Sequence, residues 1–262
     1  MSGKIQIDLN SDVGEGFGVY TVGLDEEVIP HITSANIACG FHGGDPGVMR
    51  KTVSLARKYG VEVGAHPGFP DLMGFGRRNL DATMEEIQDY VVYQMGALLA
   101  VARSQGMRLQ HLKSHGSLYN MAAANLRITE AIAEAVARVD QDVILVVLAP
   151  ANREPLLEIG RRLGIRFAFE AFADRAYTRE GTLVSRGEKG AVIEDPEVVA
   201  QRAIHMALEG KVVAIDGTEI ELKADTLCVH GDNPAAVQMV KRIREGLVAS
   251  GVEVTPMGHF VR

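Results

Sequence analysis

Short apolar runs and helix-period segments take turns along the whole chain, and few folds accept that order. Strict β–α alternation places the strands in parallel, because each return to the same end of a sheet needs a long crossover. Strand character occupies residues 5–10, 35–39, 61–66, 108–115, 142–149, 165–172 and 225–230. Helix signals cover 46–59, 81–106, 125–139, 152–163, 195–209 and 233–250. Their ends carry recognisable punctuation: Asp45-Pro46 before Gly60, Thr83 with Glu86 as a capping box, Asp195-Pro196 before Gly210, and Asn233-Pro234. Residues 211–223 break the rhythm, since two short runs flank Asp216-Gly217 and read as an inserted hairpin. Seven strand–helix units in one domain over 1–262 fit a distorted (β/α) barrel; an open doubly wound sheet has the same rhythm.

Composition narrows the class of function. Hydrophobic residues make up 47% and charged residues 23%, ordinary values for a water-soluble chain. No apolar run reaches the roughly 18–20 residues of a membrane span. The opening MSGKIQIDLNSD lacks the pattern of a secretory signal. Two cysteines, Cys39 and Cys228, suggest no disulfide framework and point to a reducing cytoplasm. A net charge of −7, no basic run and no Trp argue against a nucleic-acid partner.

Side-chain alternation then sorts the strand residues into two faces. Asp8, Asn10 and Asp12 share the parity opposite the apolar positions of the first strand. His66, Glu170 and His230 take the matching parity in theirs, and His111, Lys113 and His115 share one face. His42, His66, His115 and His230 each close an apolar run immediately before Gly or Pro. In a barrel the outer face packs on helices, while the inner face near the C-terminal mouth can be polar and carry chemistry. Four such histidines with Asp8, Asp12, Glu62, Lys113 and Glu170 would meet at one mouth. Each histidine alone also fits a structural role, bonded to backbone.

The residue types allow several chemistries. A divalent metal could be held by Asp8, Asp12, His66 and His115. His111 and His115 cannot share one ion on a strand, because four residues span about 13 Å. Metal-free acid–base hydrolysis could use Lys113 and His115 beside inward carboxylates. The GGDPG and GDNPAA stretches, with Gly43, Gly44 and Asp45 in the first, precede helices whose free amides attract anions. Plain capping by Asp45 and Asp232 explains them equally well. Two long loops, 66–80 with Arg77-Arg78 and 172–190 with Arg175, Tyr177, Arg179 and Arg186, have the length of lids or binding loops. No phosphate-loop, dinucleotide-fingerprint or nucleophile-elbow sequence occurs.

Six stretches, DLNSDVGEGFG (8–18), ANIACGFHGGDP (35–46), GAHPGFPDLMGFGRR (64–78), HLKSHGSLYN (111–120), EAFADRAYTREGTLVSR (170–186) and CVHGDN (228–233), closely resemble the LamB/YcsF family, assigned as the A component of bacterial 5-oxoprolinase. The resemblance covers nearly the whole chain; Ser114 and Ser117 stand where the family more often has Pro and Ala. It implies a distorted (β/α)7 TIM-like barrel of the glycoside hydrolase/deacetylase type. It also implies ATP-dependent opening of the 5-oxoproline lactam to L-glutamate, with subunits B and C as partners. On that basis Asp12, Glu15, His66, Lys113, His115 and Glu170 are expected to be catalytic. Asn10, His42, Gly43, Gly44, Asp45, Arg77, Arg78, Arg175 and His230 are expected to bind substrate or phosphate. A metal-dependent deacetylase-like hydrolase and a non-enzymatic regulatory or carbohydrate-binding partner are the alternatives.

Overall fold

The computed structural model describes residues 4–185, 187–230 and 234–262. Expectations placed on Arg186, Asp232 and Asn233 lie outside those residues. The order is β1 (Gln6–Val13), α1 (Asp25–Val28), β2 (Ser34–Ala38), α2 (Pro46–Tyr59), β3 (Glu62–His66), α3 (Met84–Ser104), β4 (Leu109–Lys113), α4 (Gly116–Ala124), α5 (Leu126–Val139), β5 (Ile144–Leu148), α6 (Glu154–Leu163), β6 (Phe167–Phe172), α7 (Pro196–Glu209), β7 (Lys211–Val213), β8 (Glu219–Glu221), β9 (Thr226–Cys228), α8 (Pro234–Ala249) and β10 (Glu253–Val254).

Strands β1, β2, β3, β4, β5, β6 and β9 pair in parallel in that order, and β9 returns to β1 through Asp8↔Thr226 and Asn10↔Cys228. The sheet is therefore a closed seven-stranded barrel, not an open doubly wound sheet. β7 and β8 form the separate antiparallel hairpin around Asp216-Gly217, with Lys211↔Glu221 in register. Capping behaves as its chemistry requires. Asp45 accepts from the amides of Gly47 and Val48, and Thr83 and Glu86 complete the reciprocal capping box. Among the described residues, no helix is long and apolar enough to cross a membrane.

Alternation decides what each strand buries. Ile7, Leu9, Ile37, Val63, Leu112, Leu145, Phe169 and Leu227 point outward and are buried in the main apolar core. Full burial of such a side chain contributes about 1.5–3 kcal/mol. Inside the barrel the lower part is apolar on one side, where Ile144, Val146 and Ala168 pack against Met257 and Val261 of the C-terminal segment. β10, which the sequence reading missed, positions that segment by pairing Gln6↔Glu253 and Ile7↔Val254. Only two residues long, it leaves no period to detect.

Polar side chains fill the rest of the interior in layers. Asp8 accepts from Ser34 at 2.6 Å, Thr226 at 2.5 Å and Thr33 at 2.7 Å. One level up, Asn36 donates to Asn10 at 2.7 Å and faces His111 Nε2 at 2.6 Å. Gly64 makes this layer possible, because a Cβ there would lie 2.3 Å from His111 Nε2.

Two other boundaries differ from expectation. β1 runs on to Val13, because β2 pairs with it as far as Val13↔Ile37. α4 occupies a stretch read only as a strand end and turn, and His115 is its N-cap residue. The left-handed φ of +55° at Gly116 lets the chain turn straight from β4 into this helix.

Candidate active site

At the C-terminal ends of the barrel strands lies a cavity of about 270 Å3, lined by Asp12, Glu15, Asp25, His66, Arg77, Lys113, His115, Tyr119, Arg175 and His230 among others. Its floor is Lys113. The ammonium lies 2.8 Å from Glu170 Oε1 and 3.0 Å from Asp12 Oδ1, with Asn10 Oδ1 at 3.2 Å and Cys228 Sγ at 3.3 Å. Burial opposes the charge, yet Asp12, Cys228 and Glu170 together raise the Lys113 pKa well above the usual lysine value. Tyr119, on the first turn of α4, donates to Glu170 Oε2 at 2.6 Å. Burial pushes Asp12 up, but His66 and Lys113 outweigh it and hold the carboxylate well below the ordinary range.

Above this floor stand three histidines. His66 Nδ1 is 2.7 Å from the Lys113 carbonyl and His115 Nε2 is 2.8 Å from the Phe75 carbonyl. Carbonyls only accept, so both nitrogens donate. The opposite nitrogens, His66 Nε2 and His115 Nδ1, face each other across 3.0 Å. Asp12 Oδ2 lies 3.3 Å from the first and Glu15 Oε1 3.3 Å from the second. Desolvation lowers His115 to about 3. Desolvation also opposes charge on His66, but Asp12 raises that ring above its ordinary value. Burial, then Asp12, raise Glu15. His42 stacks on His115 with ring centres 3.6 Å apart. A Cβ at Gly76, whose φ is +62°, would lie 2.8 Å from Cδ2 of the His115 ring and 2.8 Å from His42 Cβ. Glu15, His42, His66 and His115 each present a potential ligand atom to a metal, all within 4.8 Å of one another.

The structure thus brings together Asp12, Glu15, His42, His66, Lys113, His115 and Glu170, with Asn10 directly beneath. His230 lines the far wall and its Nδ1 is 2.6 Å from Asp174. Arg77 lines the cavity with its guanidinium 5.1 Å from the Phe75 ring centre. Other expected positions lie elsewhere. Asp8 belongs to the layer below Asn10, with its oxygens taken by three hydroxyls, so it does not join Asp12, His66 and His115 as a ligand set. Arg78 pairs with Asp71 and is exposed. Asp45 spends one carboxylate oxygen on the first amides of α2 and the other on Gly18 N at 2.8 Å. A free anion therefore finds those amides taken. Gly43 and Gly44 serve the same turn, where Gly40 N donates to the Gly43 carbonyl and Gly44 N to that of Gly16. Arg175 borders the cavity, but its guanidinium donates to the carbonyls of Val184 and Ala191.

Sequence reasoning missed Tyr119 and Asp25. Tyr119 follows His115 by four residues, one helical turn, a relation invisible until α4 is recognised. Asp25 looks like one charge of an exposed acidic run; in the fold it accepts from Gly14 N at 2.9 Å, and burial pushes its pKa to about 6.

The profile of the LamB/YcsF family matches residues 7–262. The A component of 5-oxoprolinase from Pyrococcus horikoshii is 52% identical over 258 residues, covering 98% of this chain and all of that one. The crystal structure of a lactam utilization protein from Thermus thermophilus superposes with a TM-score of 0.89 at 48% identity, over 95% of this chain and 99% of that one. A peptidoglycan N-acetylglucosamine deacetylase, at 10% identity and a TM-score of 0.52 over 98% of this chain and 88% of that one, shares the fold alone.

Proposed function

Since this chain belongs to the LamB/YcsF family, we propose that it is the A component of a 5-oxoprolinase and that its barrel mouth opens the 5-oxoproline lactam to L-glutamate. One observation carries the reading: Asp12, His66, Lys113, His115 and Glu170, from four separate strands and the turn after one of them, converge on one cavity in a chain that aligns end to end with proteins of that name. A cavity of about 270 Å3 suits a small cyclic amide better than a bulky ligand.

In this reading Arg77 pairs with the substrate carboxylate at the rim. Water adds to the ring carbonyl carbon while Asp12, the network carboxylate with 26% side-chain exposure, takes one of its protons. Lys113 keeps Asp12 ionised and supplies positive charge beneath the carbonyl as its oxygen becomes anionic. The ring C–N bond breaks, and the proton taken up by Asp12 passes to the departing nitrogen, while His66, 3.3 Å from Asp12 Oδ2, positions that carboxylate. Tyr119 and Asn10 hold Glu170 and Lys113 in place, and His42 and His230 shape the walls.

The residues here do not fit the triphosphate of ATP. Lys113 already serves two carboxylates, Asp12, Glu15 and Asp25 line the same cavity, and the amides of α2 are capped. We therefore assign ATP to one of the partners, subunits B and C, and keep only lactam opening for this chain. The test is glutamate release from 5-oxoproline by the chain alone and with subunits B and C, with and without ATP. Turnover is expected only in the complete mixture, reduced on the order of 100-fold or more by Asp12→Asn. An unaffected rate in that variant, or no turnover in the complete wild-type mixture, would remove the assignment.

A further inference from the structure

Four acceptor atoms converge at the cavity wall with no hydrogen between them in the neutral rings. His66 Nε2 and His115 Nδ1 are bare because each ring's other nitrogen donates to a backbone carbonyl. Glu15 Oε1 and Asp12 Oδ2 approach them at 3.3 Å each. Lone pairs facing one another at 3.0 Å need a positive charge between them, either a proton or a cation. In a tetrahedral site with zinc–nitrogen and zinc–oxygen bonds of about 2.0–2.1 Å, adjacent ligand atoms lie about 3.3 Å apart. Two edges of the His66–His115–Glu15 set, 3.0 Å between the ring nitrogens and 3.3 Å from His115 Nδ1 to Glu15 Oε1, are nearly those of such a site already, and all three ligand atoms lie within 4.8 Å of one another. The two carbonyls also do what outer partners of metal-bound histidines do: they fix the tautomer and aim the free nitrogen inward.

His42 belongs to the same cluster but is excluded as a ligand by its orientation. Its ring lies parallel to that of His115, 1° between planes and 3.6 Å between centres. An imidazole binds a metal in its own plane, and two parallel planes so far apart share no point. His42 Nε2 instead faces Glu15 Oε1 at 3.3 Å and steadies that carboxylate. Cys228 is also excluded, since its sulfur sits against the Lys113 ammonium.

We propose that His66 Nε2, His115 Nδ1 and the Glu15 carboxylate bind a zinc-class divalent cation, with the fourth position open to the cavity beside Asp12. Two histidines and a glutamate with an open position form the ligand type of a metal that holds a water molecule, and imidazole ligands favour zinc over magnesium or calcium. The ion would take the place of the proton shared by the two rings. This inference does not depend on 5-oxoproline being the substrate, because binding is read on the isolated chain.

The experiment is a titration of the chelator-treated full-length chain with Co2+, followed by visible absorption, then by Zn2+ competition and metal analysis after gel filtration. The expected result is one equivalent of Co2+ with the strong d–d bands of low coordination number, displaced by one equivalent of Zn2+. His66→Asn, His115→Asn and Glu15→Gln should each weaken binding at least about 100-fold, beyond or at the top of the effect of losing an outer partner. His42→Asn should keep both stoichiometry and bands. Thermal unfolding of each variant separates lost ligands from lost fold, and the wild-type titration decides the site's existence without any variant. A wild-type chain that shows no such bands and retains no Zn2+ overturns the proposal. Loss of the bands in well-folded His42→Asn overturns the ligand assignment.

Discussion

Lys113 Nζ and Glu170 Oε1 meet 2.8 Å apart inside the barrel, with side-chain exposures of 3% and 0%. Removing one member of a buried pair strands the other charge, which costs about 3–5 kcal/mol, whereas removing both costs far less. Lys113→Met should therefore lower stability by that amount, and Lys113→Met with Glu170→Gln should recover part of it. Denaturant unfolding of the two single variants and the double variant measures the coupling. Simple additivity would show that the pair is not the unit described.

Substrate binding should distinguish two adjacent arginines. Arg77 lines the cavity, while Arg78 is spent on Asp71 at the surface. Arg77→Ala is expected to raise KM by about tenfold or more with little change in kcat, the signature of lost ground-state binding by a charge-assisted hydrogen bond. Arg78→Ala should leave KM for 5-oxoproline within about twofold in the complete enzyme. Equal effects at both positions would contradict the geometry.

Gly64 should tolerate no side chain. The added Cβ of Gly64→Ala would sit 2.3 Å from His111 Nε2, in a ring already held by Asn36. Overpacking of this kind costs about 1–3 kcal/mol. His111→Ala in the same chain should relieve part of the strain, and a thermal melt of the three variants reads it.

At Asp45 the expected loss is structural. Asp45→Ala removes the cap of α2 and should cost about 1 kcal/mol, with KM for 5-oxoproline unchanged. A KM increase without a stability loss would restore the anion-binding reading of the GGDP turn.

Asp8 supplies a pH signature of stability. Burial pushes its folded pKa from 3.8 to about 6 despite its hydrogen bonds. The folded state then holds a proton that the unfolded state releases between those values, so the Asp8 contribution falls as pH rises from about 4 to 6. The stability difference between wild type and Asp8→Asn should shift against wild type by about 2–3 kcal/mol from pH 4 to pH 7. Unfolding free energies at the two pH values provide the check; a shift of the opposite sign would show that the hydroxyls, not desolvation, control this carboxylate.

The barrel was legible because its signals are local and repeated. Period-two apolar strands, capped helices and Gly stops recur often enough that Asp45-Pro46 and the Asp216-Gly217 hairpin could be placed from the residues alone. Alternation along single strands also assigned Asn10, Asp12, His66, Lys113 and Glu170 to the interior. It could not show depth. Asp8 and Asp12 share a parity, yet one is held by hydroxyls two layers below the cavity and the other borders it. Nor could it register that α4 begins directly after His115, which is what brings Tyr119 onto Glu170.

By itself, then, the order of residues determined the parallel strand–helix architecture, the inward face of each strand and the family, because these depend on neighbours a few positions apart. Only the tertiary structure decided which inward groups touch, which arginine borders the cavity and which ring nitrogens remain bare. Those outcomes depend on barrel closure, strand stagger and backbone carbonyls contributed by segments such as Phe75 and Lys113, contacts between residues that no local pattern relates.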